Sequence, residues 1–121
     1  MKFKTKAMKI DKFEDILAWQ KAGKLTVIIY DLYKDNRDFS FRDQLRRAAI
    51  SIMNNIAEGF ERGGDKELRY FLYIAKGSCA EVRSMLYVAL RLEYTTKKDF
   101  DELYNLTIEI SKMLSGFIKT L

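Results

Sequence analysis

The sequence predicts an all-α protein folded as an up-down-up-down four-helix bundle. The 121 residues include no proline, although average usage of about 5% would supply several, and proline is excluded most strongly from helix interiors. Apolar residues recur at three- and four-residue steps in four segments joined by short connections. The composition, 48% hydrophobic and 32% charged, is that of a globular chain. We predict one bundle domain over residues 9–121, preceded by a flexible basic extension over residues 1–8.

The first two helices are predicted from their apolar faces and from residues at their ends. The first, over about residues 13–33, buries Leu17, Ala18, Leu25, Ile28, Ile29 and Leu32 when wound at the usual 100° per residue. The second buries Leu45, Ala48, Ala49, Ile52, Ile56 and Phe60. Ser40 with Asp43 three residues later resembles a capping box at its start, and Gly63 and Gly64 predict its end.

The third and fourth helices follow the same pattern. The third is predicted over about residues 65–93, with the apolar stripe Leu68, Phe71, Leu72, Ala75, Cys79, Val82, Leu86, Ala89 and Leu90. Thr96 and Asp99 form a second capping-box-like start. From there the fourth helix runs to the C-terminus with the stripe Phe100, Leu103, Leu106, Ile110, Leu114, Phe117 and Ile118.

The third helix carries more apolar surface than one bundle core needs. A second arc beside its main stripe consists of Tyr70, Ile74, Met85, Val88 and Leu92, and the fourth helix is apolar over more than half its circumference. A helix in an isolated bundle needs an apolar stripe of only about 100°. The surplus predicts a homo-oligomer, and a slightly wider core in a monomer is the alternative.

The composition argues against an enzyme and against a metal or cofactor site. The chain has no histidine and one cysteine, so the commonest general base, the commonest metal ligand and every Ser/His or Cys/His pair are missing. Ser78 lies in no Gly-x-Ser-x-Gly elbow, and Cys79 lies on the apolar stripe as a core residue. Because a single cysteine forms no internal disulfide and no apolar run is long enough for a membrane span, we expect a cytoplasmic protein.

A polar stripe on the second helix has two interpretations. Its members Arg47, Ser51, Asn54 and Glu58 share one side of the helix. They form either a solvated face or a buried polar network that includes Glu81 of the third helix. Gly77 precedes Ser78 in the middle of that helix, where glycine costs about 1 kcal/mol relative to alanine. That cost predicts a close approach of another helix.

The basic residues suggest an anionic partner. The net charge is +5, and Arg69, Lys76 and Arg83 repeat every seven residues along the third helix, with Arg91 farther round. These four are the candidate nucleic-acid-binding residues, and a solvated face is the alternative. The N-terminal lysines Lys2, Lys4, Lys6, Lys9 and Lys12 could reach phosphates as an arm. Tyr70, Tyr73 and Tyr87 either stack on bases or belong to the core and its rim.

Three segments together resemble a known family. They are FEDILAWQKA at residues 13–22, QLRRAAISI at 44–52 with NIAEG at 55–59, and AKGSCAE at 75–81. In this order they resemble the four-helix bundle proteins encoded within bacterial 23S rRNA intervening sequences, whose members are often labelled ribosomal proteins. The resemblance spans residue 9 to the C-terminus and implies a homopentamer.

The resemblance also implies partners and residue roles. It extends to the accessory variability determinant of diversity-generating retroelements, a basic pentamer that binds nucleic acid and a reverse transcriptase. The implied partners are therefore further copies of the chain, RNA or DNA, and a protein such as a reverse transcriptase. No catalytic residue is implied. The motif positions, read as structural polar groups and helix-contact residues, are Arg47, Ser51, Asn55, Glu58, Gly77, Ser78 and Glu81.

The sequence thus predicts a non-enzymatic oligomeric protein that binds RNA or DNA through basic surface charge. The competing hypothesis is a structural or protein-docking oligomer without nucleic-acid binding. Fold is transferred between relatives more reliably than function is.

Overall fold

The computed structural model describes residues 3–4 and 9–121, which form four α-helices and a short N-terminal ladder. The elements are β1 (Phe3–Lys4), β2 (Lys9–Ile10), a 3-10 turn (Phe13–Asp15), α1 (Leu17–Leu32), α2 (Phe39–Glu61), α3 (Asp65–Arg91) and α4 (Lys97–Lys119). β1 pairs antiparallel with β2. Each helix packs against two neighbours, in the order α1, α2, α3, α4 and back to α1. This arrangement confirms the predicted all-α bundle. Of the predicted extension, residues 1–2 and 5–8 lie outside the described residues.

The apolar stripes of α2, α3 and α4 meet in one core as predicted. All predicted core residues of α2 and α4 are buried. On α3 only Phe71 and Leu90 of the predicted stripe are half-buried. The sequence pattern is reliable here because each of these helices is continuous, so one 3.6-residue period describes its whole buried face.

The prediction for the first helix was partly wrong. Residues 13–15 form a 3-10 turn, Ile16 is extended, and the α-helix begins at Leu17. Leu17 and Leu32 are exposed and Ile28 is half-buried. Each of the three directly precedes a buried residue and so lies about 100° from it, at the margin of the buried face. The buried residues are Ala18, Ala22, Leu25, Thr26 and Ile29.

The N-terminal caps differ in one case from the prediction. α2 begins before Ser40, and the side chain of Asp38 accepts a hydrogen bond from the Phe41 backbone N–H at 3.2 Å. A carboxylate suits this position because it both satisfies a free N–H group and interacts favourably with the positive helix end. At α4 the prediction is confirmed, since the Thr96 hydroxyl accepts from the Asp99 N–H at 3.1 Å.

Left-handed residues follow two of the helices. Gly63, with φ of 88°, follows α2 as predicted. α3 ends at Arg91, two residues earlier than predicted, because Glu93 has φ of 61° and cannot continue a right-handed helix.

Candidate functional site

The predicted polar residues gather at a groove between α2 and α3. Its volume is about 690 Å³, and its lining residues are Gln44, Arg47, Ala48, Ile50, Ser51, Asn54, Asn55, Glu58 and Glu81. Five of the six polar residues at the motif positions are therefore here, namely Arg47, Ser51, Asn55, Glu58 and Glu81. The sixth, Ser78, contacts Ser51.

Neutral side chains form a hydrogen-bonded cluster along this groove. The hydroxyl oxygens of Ser51 on α2 and Ser78 on α3 lie 2.9 Å apart. One turn after Ser51, the Asn55 amide donates to the Ser51 hydroxyl at 2.9 Å and to the Ser51 carbonyl at 2.8 Å. All three side chains are half-buried. This cluster fixes the position of α2 relative to α3 through polar contacts at the edge of the core.

The charged residues of the groove are exposed in the single chain. Glu58 accepts a hydrogen bond from Arg62, one turn later, at 2.7 Å. The side chains of Arg47 and Glu81 form no hydrogen bond or ion pair with any residue that the structure describes. The prediction of a buried charged network is therefore wrong within one chain, because Arg47, Glu58 and Glu81 all face solvent. Burial of Glu81 between chains stays a prediction.

The close helix approach occurs at a different glycine from the predicted one. Gly77 is exposed, and apart from its two neighbours and its own helix backbone no heavy atom of the described chain lies within 4 Å of the position its Cβ would take. At Gly59 a Cβ would lie 2.7 Å from the Phe71 Cβ and 3.2 Å from Leu68 Cδ1. The backbones of α2 and α3 therefore come together at Gly59, and Gly77 has no packing role inside the chain.

The basic stripe follows the side of α3 that meets α4. Arg69, Lys76 and Arg83 are half-buried, and Arg91 is exposed. Across the described residues, none of the four forms an ion pair with a carboxylate. Arg83 also holds one guanidinium nitrogen, Nη1, that has neither solvent contact nor a hydrogen-bond acceptor there. The stripe is thus a row of uncompensated cations.

Aromatic side chains surround this stripe. Tyr87, one turn after Arg83, contacts the rings of Phe100 and Tyr104 on α4, with centroid distances of 5.2 and 5.9 Å. A hydrogen bond with Tyr104 and partial desolvation raise the pKa of Tyr87, whereas the nearby Arg83 opposes the shift. The phenol therefore stays neutral at neutral pH. The exposed fractions of Tyr70, Tyr73 and Tyr87 are 63%, 56% and 50%, so these rings belong to the surface rather than the core.

A second cation and aromatic surface was not predicted. On α2, the Arg42 guanidinium lies 4.7 Å from the centre of the Phe39 ring, and that of Arg46 lies 4.3 Å from the Tyr30 ring of α1. The spacing of Arg42 and Phe39 within one turn was a visible signal. The Tyr30 contact was not, because it joins two helices.

The nucleophile-type side chains near the middle of α3 are occupied by structural contacts. Burial raises the pKa of the Cys79 thiol to about 11, and the thiol donates to the Thr107 carbonyl at 3.1 Å. Ser78 is engaged with Ser51. Among the residues described, no group of three or more Cys, Asp or Glu side chains is placed to hold a metal ion. Within the same residues, no helix is both long and apolar enough to cross a membrane.

The chain is similar to a protein family and to a solved structure. Residues 14–116 match the family model described as 23S rRNA-intervening sequence protein. The fold is similar to the crystal structure, at 1.70 Å resolution, of a protein of unknown function from the S23 ribosomal protein family of Bacteroides thetaiotaomicron VPI-5482. The TM-score is 0.80 at 29% sequence identity, over 85% of this chain and 99% of the other. No curated protein matches the chain significantly.

Proposed function

This chain belongs to the 23S rRNA-intervening sequence protein family, and on that premise we propose that it is a non-enzymatic homopentamer that binds RNA or DNA in the cytoplasm. The family match confirms the resemblance to intervening-sequence proteins, and the link to the retroelement protein stays a prediction. The observation that carries the nucleic-acid proposal is the row Arg69, Lys76, Arg83 and Arg91, in which no cation is paired with a carboxylate of the described chain.

Uncompensated cations favour a polyanionic ligand. Each phosphate that such a row neutralises releases condensed counterions, so affinity falls steeply as salt rises. One row with three half-buried members is a modest site. An assembly repeats it in every copy, and the formal charge of +5 per chain adds to the attraction.

The neighbouring tyrosines support binding of unpaired bases. Tyr73 and Tyr87 are at least half exposed, and Tyr87 is braced by two rings of α4. Stacking on aromatic rings tolerates any base, and cations that contact phosphates carry no sequence information. The proposed binding is therefore driven by charge and shape and has little sequence preference.

Exposed apolar surface supports the proposed self-association. Tyr70, Ile74, Val88 and Leu92, all predicted to be surplus to the core, are 63%, 36%, 46% and 51% exposed. They form two exposed apolar pairs on α3, Tyr70 with Ile74 and Val88 with Leu92, and we take these pairs as contact points for another chain. The number of copies, five, comes from the family resemblance. Light scattering at micromolar concentration should give five times the 14.2 kDa of one chain. The mass of a single chain would overturn self-association, and a dimer would overturn the stoichiometry.

The nucleic-acid proposal is tested by a salt titration. Binding to structured RNA and to duplex DNA is measured with the full chain and with a version that starts at Lys9. We expect binding at about 50 mM salt that weakens steeply as salt rises and that survives removal of the N-terminal residues. No binding at low salt, as a protein-docking oligomer predicts, would overturn it. Binding that disappears with the N-terminal residues would overturn the α3 assignment.

A matched pair of variants distinguishes binding by the α3 stripe from binding by net charge alone. Replacing Arg69, Lys76 and Arg83 with Ser should weaken binding to all sequences alike. The control replaces Lys21, Lys34 and Arg62 with Ser, which removes the same charge from cations that already have carboxylate partners. We expect the control to retain most of its affinity. Equal weakening by both variants would show that the stripe is only a solvated face.

A further inference from the structure

The outward face of α3 carries a row of residues spaced for contact with another helix. Successive members are four, three, four, three and four residues apart: Tyr70, Ile74, Gly77, Glu81, Ser84 and Val88. Alternating steps of three and four keep residues on one seam between two packed helices. All six are exposed in the single chain. The row therefore has the spacing of a helix–helix contact, but within one chain it faces solvent instead of a second helix.

Gly77 lies near the centre of this row. It is in the interior of a 27-residue helix, where glycine is less favourable than alanine. The space beside it is open, since apart from its neighbours and its own helix backbone no described atom lies within 4 Å of its Cβ position. The single chain therefore offers no packing reason for glycine here. A helix that approached from outside would supply one, because the missing side chain lets two backbones come close.

Two charged side chains in the adjoining α2–α3 groove indicate which molecule would bind to this face of α3. Arg47 on the α2 side and Glu81 on the α3 side both line the groove, and neither has a partner among the described residues. They have opposite signs. Further copies of this chain carry the complement of both, so in a closed ring Arg47 of each copy can meet Glu81 of the next.

We propose that the outward row of α3 and the α2–α3 groove contact the neighbouring copies in the assembly, so that Arg47 of each chain pairs with Glu81 of the next. This inference rests on the self-association proposed above and assigns it a surface. The basic stripe lies roughly 120° away around α3. Contact through the outward row therefore leaves Arg69, Lys76 and Arg83 open to nucleic acid.

A pair of glycine variants tests the surface. Gly77→Gln adds an uncharged side chain at a position that is open in the single chain. Gly116→Gln is the matched control, because Gly116 is also exposed in a helix with nothing within 4 Å of its Cβ position. Both should keep a helical circular dichroism spectrum. In light scattering, Gly77→Gln should shift toward the 14.2 kDa protomer mass and Gly116→Gln should keep the wild-type mass. An intact assembly of Gly77→Gln would overturn the proposal.

Charge reversal tests the pairing between chains. Arg47→Glu and Glu81→Arg should each lose the assembly alone, since each places like charges opposite one another. The double variant Arg47→Glu with Glu81→Arg should assemble again, because every contact then joins opposite charges with their signs exchanged. A double variant that stays dissociated would overturn the pairing.

The wild-type mass distinguishes the two proposals. A monomeric wild type would overturn self-association together with this surface. An oligomeric wild type whose mass is unchanged in Gly77→Gln, Arg47→Glu and Glu81→Arg would overturn the surface alone.

Discussion

Gly59 of α2 and Phe71 of α3 are so close that a Cβ at position 59 would lie 2.7 Å from the Phe71 Cβ. The Phe71 Cβ is attached directly to the α3 backbone, so it cannot move aside as the tip of a flexible side chain can. Gly59 is buried, one residue before Phe60 enters the core. Contact between the last turns of α2 and the first turns of α3 therefore depends on the absence of a side chain at this position.

We predict that Gly59→Ala destabilises the fold. The added methyl group must push α2 and α3 apart, and overpacking of this kind costs about 1 to 3 kcal/mol. Alanine's better helix propensity offsets up to about 1 kcal/mol of that cost. Urea unfolding measures the net change. The control, Gly116→Ala, places the same methyl group in open space and should be neutral or stabilising. Equal stability of the two variants would contradict the close contact.

The sequence predicted the parts of the fold that depend on local periodicity. The stripes of α2, α3 and α4 were correct because each helix is continuous. The prediction of the first helix was less accurate, because the extended residue Ile16 separates a 3-10 turn from α1. The Tyr94 hydroxyl donates to the Asp38 carboxylate at 2.7 Å, 56 residues away. No local pattern indicates such a contact. The Asp38 cap is local, since Asp38 accepts from the backbone N–H three residues later, and it was missed because Ser40 with Asp43 presents a similar pattern two residues further on.

In the candidate site, too, the sequence predicted what depends on spacing along one helix and not what depends on how the helices pack. Residue type and helical spacing predicted that Arg47, Ser51, Glu58 and Glu81 share one region, and the groove brings them together. Their burial depends on the distance between helices, which periodicity does not encode. Gly77 shows this most clearly, because the sequence predicted a close contact there and the contact inside the chain is at Gly59.

The cluster of Ser51, Asn55 and Ser78 should contribute measurably to stability. Ser78→Ala removes the 2.9 Å contact with the Ser51 hydroxyl, which should cost about 0.5 to 1.5 kcal/mol. The matched control is Ser40→Ala, since Ser40 is exposed on α2 and its side chain has no hydrogen bond among the described residues, so stability should change by less than about 0.5 kcal/mol. The double variant Ser51→Ala with Ser78→Ala should cost less than the sum of the single variants. Additive costs in urea unfolding would contradict direct coupling.

Glu81→Ala should lower the melting temperature of the assembled protein. If Glu81 were solvated, its removal would lower the free energy of unfolding by less than about 1 kcal/mol. Opposite Arg47 of a second copy, removal of one partner from a buried ion pair costs about 3 to 5 kcal/mol. Because the contact is between chains, the melting midpoint should depend on protein concentration. Glu102→Ala, at an exposed carboxylate of α4 without an ion pair in the described chain, should melt like the wild type. An unchanged midpoint for Glu81→Ala would count against burial.

Alkaline pH should weaken the fold partly through Cys79. The pKa of this thiol is raised from an ordinary value of 9.0 to about 11, chiefly by burial. Between these values the unfolded chain loses the proton while the folded chain retains it. The folded state then binds more protons, so the free energy of unfolding falls as pH rises. The stabilising contribution is complete below pH 9 and is lost through about pH 11, and it amounts to at most roughly 3 kcal/mol.

Cys79→Ser isolates this contribution from those of the tyrosines. Burial raises the pKa of Tyr33, and the hydrogen bond to Asp38 raises that of Tyr94, so both phenols also weaken the fold at high pH in either protein. Serine can retain a donor for the Thr107 carbonyl, which accepts from the thiol at 3.1 Å, but it does not titrate in this range. Urea unfolding under reducing conditions, from about pH 8 to about pH 10.5, should show a steeper decline for the wild type than for Cys79→Ser. Parallel declines would contradict the raised thiol pKa, because only the thiol differs between the two proteins.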